Sequence, residues 1–182
     1  MKNRRFFGWL VAVCSGLLLG YFAYDRTDKD FSLWRAYTRQ GKRYYEAHDY
    51  VQALDVFSEA LKISERSGSE DRRLATILNN IAFTYHGAGK DAEAIPLYQH
   101  ALQILKATLR PDDPELSTLM GNLATAHRDL KQFSEAEPLY QEALRIQDSA
   151  SLLESYAKML RQAGRDAEAK AIEERVKSIQ DH

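Results

Sequence analysis

From Trp34 onward the apolar positions recur at the spacing of one helix face, in blocks that come in pairs. Trp34, Tyr37, Gly41 and Tyr44 fall on one stripe and are followed by Ala53, Phe57 and Ala60. Leu78, Ile81, Ala82 and Tyr85 lead to Ala94, Tyr98 and Ala101; Met120, Leu123, Ala124 and His127 lead to Ala136, Tyr140 and Ala143. Leu153, Tyr156, Ala157 and Leu160, then Ala169, make a weaker fourth set. The pattern predicts helix pairs over about residues 34–67, 75–109, 117–148 and 150–180. Two of the pairs are near copies. Ala94, Pro96, Leu97, Tyr98, Gln99, Ala101 and Leu102 return 42 residues later as Ala136, Pro138, Leu139, Tyr140, Gln141, Ala143 and Leu144. A fixed period of this size predicts an all-α solenoid of about four stacked helix pairs over residues 34–180.

The composition of the stripes has a packing reason. Gly41, Ala82, Ala124 and Ala157 mark one helix of each pair, and Ala53, Ala94, Ala136 and Ala169 the other. Small residues at a crossing let helix axes approach to the close end of about 8–10 Å. The aromatics between them fill the gaps between pairs. Gly87, Gly89 and Lys90 end one helix, and Asp91 is expected to cap the next. Asp113 is expected to cap a helix with Pro114 at its first position. Pro96 and Pro138 fall just past a first turn, so a tightened or bent start is expected at both. The last helix, with Glu168, Lys170, Glu173, Glu174, Arg175 and Lys177, suits the polar outer face of a terminal repeat.

The first 24 residues follow a different pattern. A basic tail over residues 1–5 precedes Phe6–Tyr24, 19 residues without a charge. As a helix they would span about 28 Å, near the hydrocarbon thickness of about 30 Å. A single transmembrane signal-anchor helix is therefore expected over residues 6–24, with a linker over 25–33. Cleavage after Ala23 or Gly20 would put Tyr21 or Leu18 at the −3 position, and Val13 precedes Cys14, so cut-site chemistry favours an uncleaved anchor. The basic tail favours a cytoplasmic amino terminus and a periplasmic repeat domain, in a bacterial inner membrane. Gly8, Ala12, Gly16 and Gly20 form a small-residue stripe on which the helix would pack against a partner's transmembrane helix or a second copy.

Charge and chemistry narrow the function. Net charge is −1, and without Lys2, Arg4 and Arg5 the remainder has 22 basic against 26 acidic side chains. That is not the basic excess of a nucleic-acid binder. The single cysteine, Cys14, excludes an intramolecular disulfide and a multi-cysteine metal site. There is no glycine-rich phosphate loop, metal-binding histidine spacing or nucleophile elbow, so no enzyme, cofactor or metal is expected. None of His48, His86, His100, His127 and His182 forms an i, i+4 pair with another, though His86 and His127 lie at nearly the same repeat position.

The small residues at three fixed points per repeat, with an aromatic between the last two, resemble the tetratricopeptide repeat over about residues 34–180. LNNIAFTY, EAIPLYQHAL and LRPDDPELSTLMGNLATA look like the repeats of kinesin light chains. The fourth repeat departs, with Glu173 and Val176 in place of the aromatic and the second alanine. The resemblance implies a right-handed solenoid whose first helices line a concave binding groove. Helical spacing would turn Arg35, Thr38, Arg39, Lys42 and Tyr45 into that groove, then Thr76, Asn79, Asn80, Phe83 and His86. Thr118, Gly121, Asn122, Thr125 and Arg128 would follow, then Ser151, Glu154, Ser155, Lys158 and Arg161. Asn80 and Asn122 share a repeat position. In similar proteins an asparagine there bonds the backbone of an extended peptide, although a bond to the neighbouring helix is an equal alternative here. Lys42 fits one position of the basic clamp of chaperone-binding relatives, but Thr38 and Thr118 stand where lysines would be needed. The resemblance therefore implies an adaptor for a protein or mildly acidic peptide near the membrane. The alternative is an assembly subunit of a membrane complex, docked through its transmembrane helix.

Overall fold

The computed structural model describes residues 29–66 and 72–180, and every regular element among them is an α-helix. α1 covers residues 29–46 of the described chain. The others are α2 (Tyr50–Arg66), α3 (Arg72–Gly87), α4 (Asp91–Thr108), α5 (Pro114–Asp129), α6 (Phe133–Ile146), α7 (Ala150–Gln162) and α8 (Asp166–Gln180). α3 packs on α4, α5 on α6 and α7 on α8, and each second helix also packs on the next first helix. α3 touches α5, and α5 touches α7, so the first helices form one continuous layer.

Within each of the four pairs the two helices are joined by the same turn. His48, Gly89, Lys131 and Gly164 each adopt a left-handed φ, of 59°, 71°, 59° and 76°. In each case their N–H reaches the carbonyl three residues back, and the following N–H reaches the carbonyl five back. Gly89 donates to His86 O at 2.9 Å and Lys90 to Tyr85 O at 2.8 Å; Lys131 donates to Arg128 O at 2.8 Å and Gln132 to His127 O at 2.9 Å. This is the Schellman arrangement, which satisfies the last carbonyls of the first helix and leads directly into the second. Two of the four positions are not glycine, which hid the turns at His48 and Lys131 from the sequence.

The expected core residues converge. Ala53, Ala82, Ala94, Ala124, Ala136, Ala169, Tyr98 and Tyr140 are all fully buried. Gly41 lies so close to its partner helix that a Cβ there would sit 2.4 Å from the Phe57 ring. Burial of one such large apolar side chain contributes about 1.5–3 kcal/mol. The apolar interior falls into two clusters. One runs from Ala53 to Ala143 through the first three pairs; the other joins Ala124, Ala136 and Tyr140 to Tyr156, Met159, Leu160 and Ala169 of the last two.

Several boundaries and caps differ from expectation. The linker expected over 25–33 is helical from residue 29; Lys29 is exposed, and the half-buried Asp30 faces Arg66 of α2 at 3.9 Å. α3 likewise begins three residues before the expected repeat start, at Arg72, whereas α5 begins at Pro114, the first helical position expected. Asp91 does not cap α4. It is the first helical residue, and its carboxylate accepts instead from His86. Asp113 does cap α5, accepting from the Glu115 N–H at 2.9 Å, with Pro114 next. α4 and α6 run without interruption through Pro96 and Pro138. Both rings are exposed, and the carbonyls that lose a donor belong to the exposed residues Ala92 and Ser134. Among the described residues no helix is long and apolar enough to cross a membrane. The basic tail, the anchor expected over Phe6–Tyr24 and the stripe Gly8, Ala12, Gly16 and Gly20 lie outside the described residues.

Candidate functional site

The layer of first helices carries two adjoining hollows. The larger, of about 400 Å³, is lined by Lys42, Tyr45 and Glu46 of α1, Phe57 of α2, Asn79, Asn80, Phe83 and Thr84 of α3, and Thr118 and Asn122 of α5. Helical spacing brings these residues together because 42, 45 and 46 lie on one face of α1 and 79, 80 and 83 on one face of α3. The Tyr45 and Phe83 rings meet at 4.9 Å and close its aromatic wall. Gly87 permits this approach, since a Cβ there would sit 2.9 Å from the Tyr45 ring.

Of the two asparagines at the shared repeat position, Asn122 makes the bond to the neighbouring helix and Asn80 does not. The Asn122 amide donates to Asn79 Oδ1 of the neighbouring first helix at 3.3 Å. The Asn80 Nδ2, by contrast, is shielded from solvent and has no partner in the protein. A buried amide donor left unpaired costs about 1–3 kcal/mol, and this one borders the hollow. Lys42 adds a cation at the rim, with Arg35 and Arg39 exposed on the same helix; the Arg35 guanidinium lies 5.8 Å from the Phe31 ring.

The second hollow, of about 200 Å³, lies between α5 and the start of α7. It carries no charged side chain: Ser117, Thr118, Asn122, Thr125, Ser149, Ser151 and Ser155 supply hydroxyls and an amide. Ser149 also caps α7, accepting from the Leu152 N–H at 3.3 Å. The serine-rich run at 149–155 carried this cap signal, but its place opposite α5 depends on helix packing and was not readable from spacing.

Other residues expected in the groove are engaged elsewhere. Arg128 is 5% exposed, and its guanidinium holds the Asp129 carboxylate at 2.8 Å. Arg161 forms a two-pronged bond with Glu173 of α8, at 2.8 and 2.7 Å. The His86 Nδ1–H donates to Asp91 at 2.6 Å. Thr38 is 9% exposed and donates to the Trp34 carbonyl within α1. Lys158 is exposed on α7 but lines neither hollow. Thr125 reaches the second hollow while its hydroxyl bonds Gly121 O and the Tyr140 hydroxyl.

A stack of antiparallel helix pairs with a groove along one layer defines a helical-repeat interaction scaffold. The tetratricopeptide repeat model matches residues 34–106 and 73–149, and the chain belongs to that family. No curated protein sequence matches it. Among solved structures, BtubC (BKLC) from P. vanneervenii is similar with a TM-score of 0.75 and 22% identity, over 81% of this chain and 63% of that one. The chain thus spans less than two thirds of that protein. A putative kinesin light chain of nearly identical repeats from Podospora anserina gives 0.72 and 22%, over 80% of this chain and 74% of that one. The first repeat domain of Spaghetti (RPAP3), bound to the HSP90 peptide SRMEEVD, gives 0.60 and 14%, over 73% and 94%. The fold is shared with these proteins and is an interaction scaffold rather than an enzyme fold.

Proposed function

We propose that this chain is a non-enzymatic, membrane-anchored adaptor that holds an extended peptide of a partner protein along its concave layer. The observation that carries the reading is the unpaired Asn80 Nδ2 beside an open hollow of about 400 Å³. Turned toward the hollow, the Asn80 amide would take a peptide carbonyl as its acceptor, and the Tyr45–Phe83 wall would take an apolar side chain of the same peptide. Lys42, with Arg35 and Arg39 along α1, favours an acidic residue toward the amino-terminal end of the groove. The hydroxyl-lined second hollow suits uncharged backbone further along. The peptide bound in the RPAP3 structure supports this use of the fold. Anchoring rests on the uncharged run Phe6–Tyr24, and the basic tail favours a periplasmic repeat domain in a bacterial inner membrane.

The test is selection from a random peptide display library on the detergent-solubilised full chain, followed by titration of the enriched peptides. Asn80→Ala should weaken them about tenfold, and raised salt should weaken them further. Enriched peptides that bind Asn80→Ala and wild type equally would refute the groove assignment.

A further inference from the structure

One of the differences between the two similar repeats leaves a buried hydroxyl without a partner. In the third repeat the Tyr140 hydroxyl donates to Thr125 at 3.0 Å, with Arg128 beside it. The residues 42 positions earlier are Tyr98, Phe83 and His86. Phe83 offers no acceptor, and His86 has turned its Nδ1 to Asp91. Tyr98 is therefore fully buried with its hydroxyl unpaired. Burial, then the neighbouring Tyr45 and Asp91, push its phenol above the usual range; its place, equivalent to that of Tyr140 against Thr125, sets the hydroxyl beside positions 83 and 86. Such a group in a native interior calls for a missing water or ion.

The His86 ring, the Asp91 carboxylate and the Asp129 carboxylate meet here, their ligand atoms all within 4.8 Å of one another. They come from α3, α4 and α5, so the cluster straddles the junction between two repeats. Asp91 is 8% exposed, while Asp129 lies at the surface and gives the cluster an entrance. Arg128 binds only Oδ1 of Asp129, leaving Oδ2 available. One imidazole and two carboxylates suit a divalent first-row ion of the zinc class, with bonds of about 2.0–2.2 Å and ligand atoms about 3.3 Å apart.

We propose that His86, Asp91 and Asp129 bind a Zn²⁺-class divalent ion that staples the second repeat to the third. The ion takes the place of the proton that His86 Nδ1 now donates to Asp91, and the ring binds as a neutral imidazole with its proton on Nε2; from the imidazolium the Nδ1 proton leaves to solvent, and from the neutral ring solvent carries it from Nδ1 to Nε2. A water completes the coordination and accepts from the Tyr98 hydroxyl, while Arg128 orients Asp129 from behind, as outer partners of metal ligands do. This site is independent of any peptide in the groove.

Untagged full chain in detergent micelles, stripped with chelator, would be titrated with Co²⁺ and then with competing Zn²⁺. The expected result is one Co²⁺ per chain with visible ligand-field bands, displaced by Zn²⁺, and a binding constant weakened at least about tenfold by His86→Gln. His48→Gln and His100→Gln should leave it unchanged. His86→Gln keeps a donor for Asp91, and circular dichroism would confirm its fold. A readout that needs no variant is the ¹⁵N shift of the His86 ring in wild type, where Zn²⁺ should move Nδ1. Absence of stoichiometric Co²⁺ binding, an unmoved His86 ring, or binding indifferent to His86→Gln would each overturn the site.

Discussion

Replacing Gly41 by alanine sets two effects of opposite sign against each other. A glycine in the middle of a helix costs about 0.5–1 kcal/mol relative to alanine, so the backbone of α1 would gain that much. Against it stands contact with Phe57. A Cβ on Gly41 would meet the Cε1, Cδ1 and Cζ atoms of that ring at 2.4, 2.6 and 2.8 Å. Carbon atoms rest about 3.5–4.0 Å apart, so the ring must shift by about 1 Å. Phe57 is 2% exposed and packed within the main cluster, and overpacking there costs about 1–3 kcal/mol. The net expectation is destabilisation by about 1 kcal/mol, a fall in Tm of about 2–4 °C. Thermal and urea unfolding of the full chain in micelles, followed by circular dichroism, would measure it. Because Phe57 also borders the larger hollow, the displaced ring should disturb peptide binding. The second substitution Phe57→Leu should recover part of the loss. The equivalent points Ala82, Ala124 and Ala157 already carry the methyl group. Unchanged or raised stability would therefore mean that Phe57 slides easily into the place Tyr98 and Tyr140 take, and the contact would be no constraint.

Gly121→Ala should do the opposite and stabilise by about 0.5–1 kcal/mol, since its Cβ would meet only the mobile Leu152 Cδ1, at 2.9 Å; a lower Tm would contradict this. Lys131→Gly should raise stability by about 1 kcal/mol in the same melts, by relieving a left-handed φ of 59°. Ala94→Leu should lower it by about 1–3 kcal/mol, because Ala94 is fully buried between α3 and α4, and an unchanged melting curve would sink the register. At acid pH, Arg165 holds the Glu137 carboxyl below its ordinary range, helped by Tyr156. The folded value is the lower one, so the stabilisation is complete above the ordinary carboxylate value and disappears as pH falls through the folded value. Glu137→Gln should accordingly flatten the acid loss of the last repeat; hydrogen exchange of α7 and α8 that stays equally acid-sensitive would contradict it.

How far the fold could be read in advance depended on the kind of signal. Ala94 and Tyr98 reached the core where the copied spacing put them, because a helix face is a local property of sequence. The start of α1 was missed because Lys29 and Asp30 are as compatible with the outer side of a helix as with a linker. Of the residues expected in the groove, Lys42, Asn79, Asn80, Phe83 and Asn122 line one hollow, while Arg161 bonds Glu173 and Thr38 bonds the Trp34 carbonyl. Spacing indicates which way a Cβ points, not which partner waits there. Glu173, which claims Arg161, sits on the opposing helix twelve residues on. The His86–Asp91 contact was similarly hidden, since Asp91 had a plausible local use as a cap.

The division of the interior into two clusters has a mechanical consequence. The last helix pair shares its small apolar nucleus with Ala124, Ala136 and Tyr140 of the third pair, and the Glu137–Arg165 and Asp148–Arg175 ion pairs tether it from outside. The hydroxyl-lined hollow spans that seam, with α5 as one bank and the start of α7 as the other. A ligand lying across it is a splint, joining two units that would otherwise loosen in sequence. Occupancy of the groove and rigidity of the carboxy-terminal pair thus become one coupled variable.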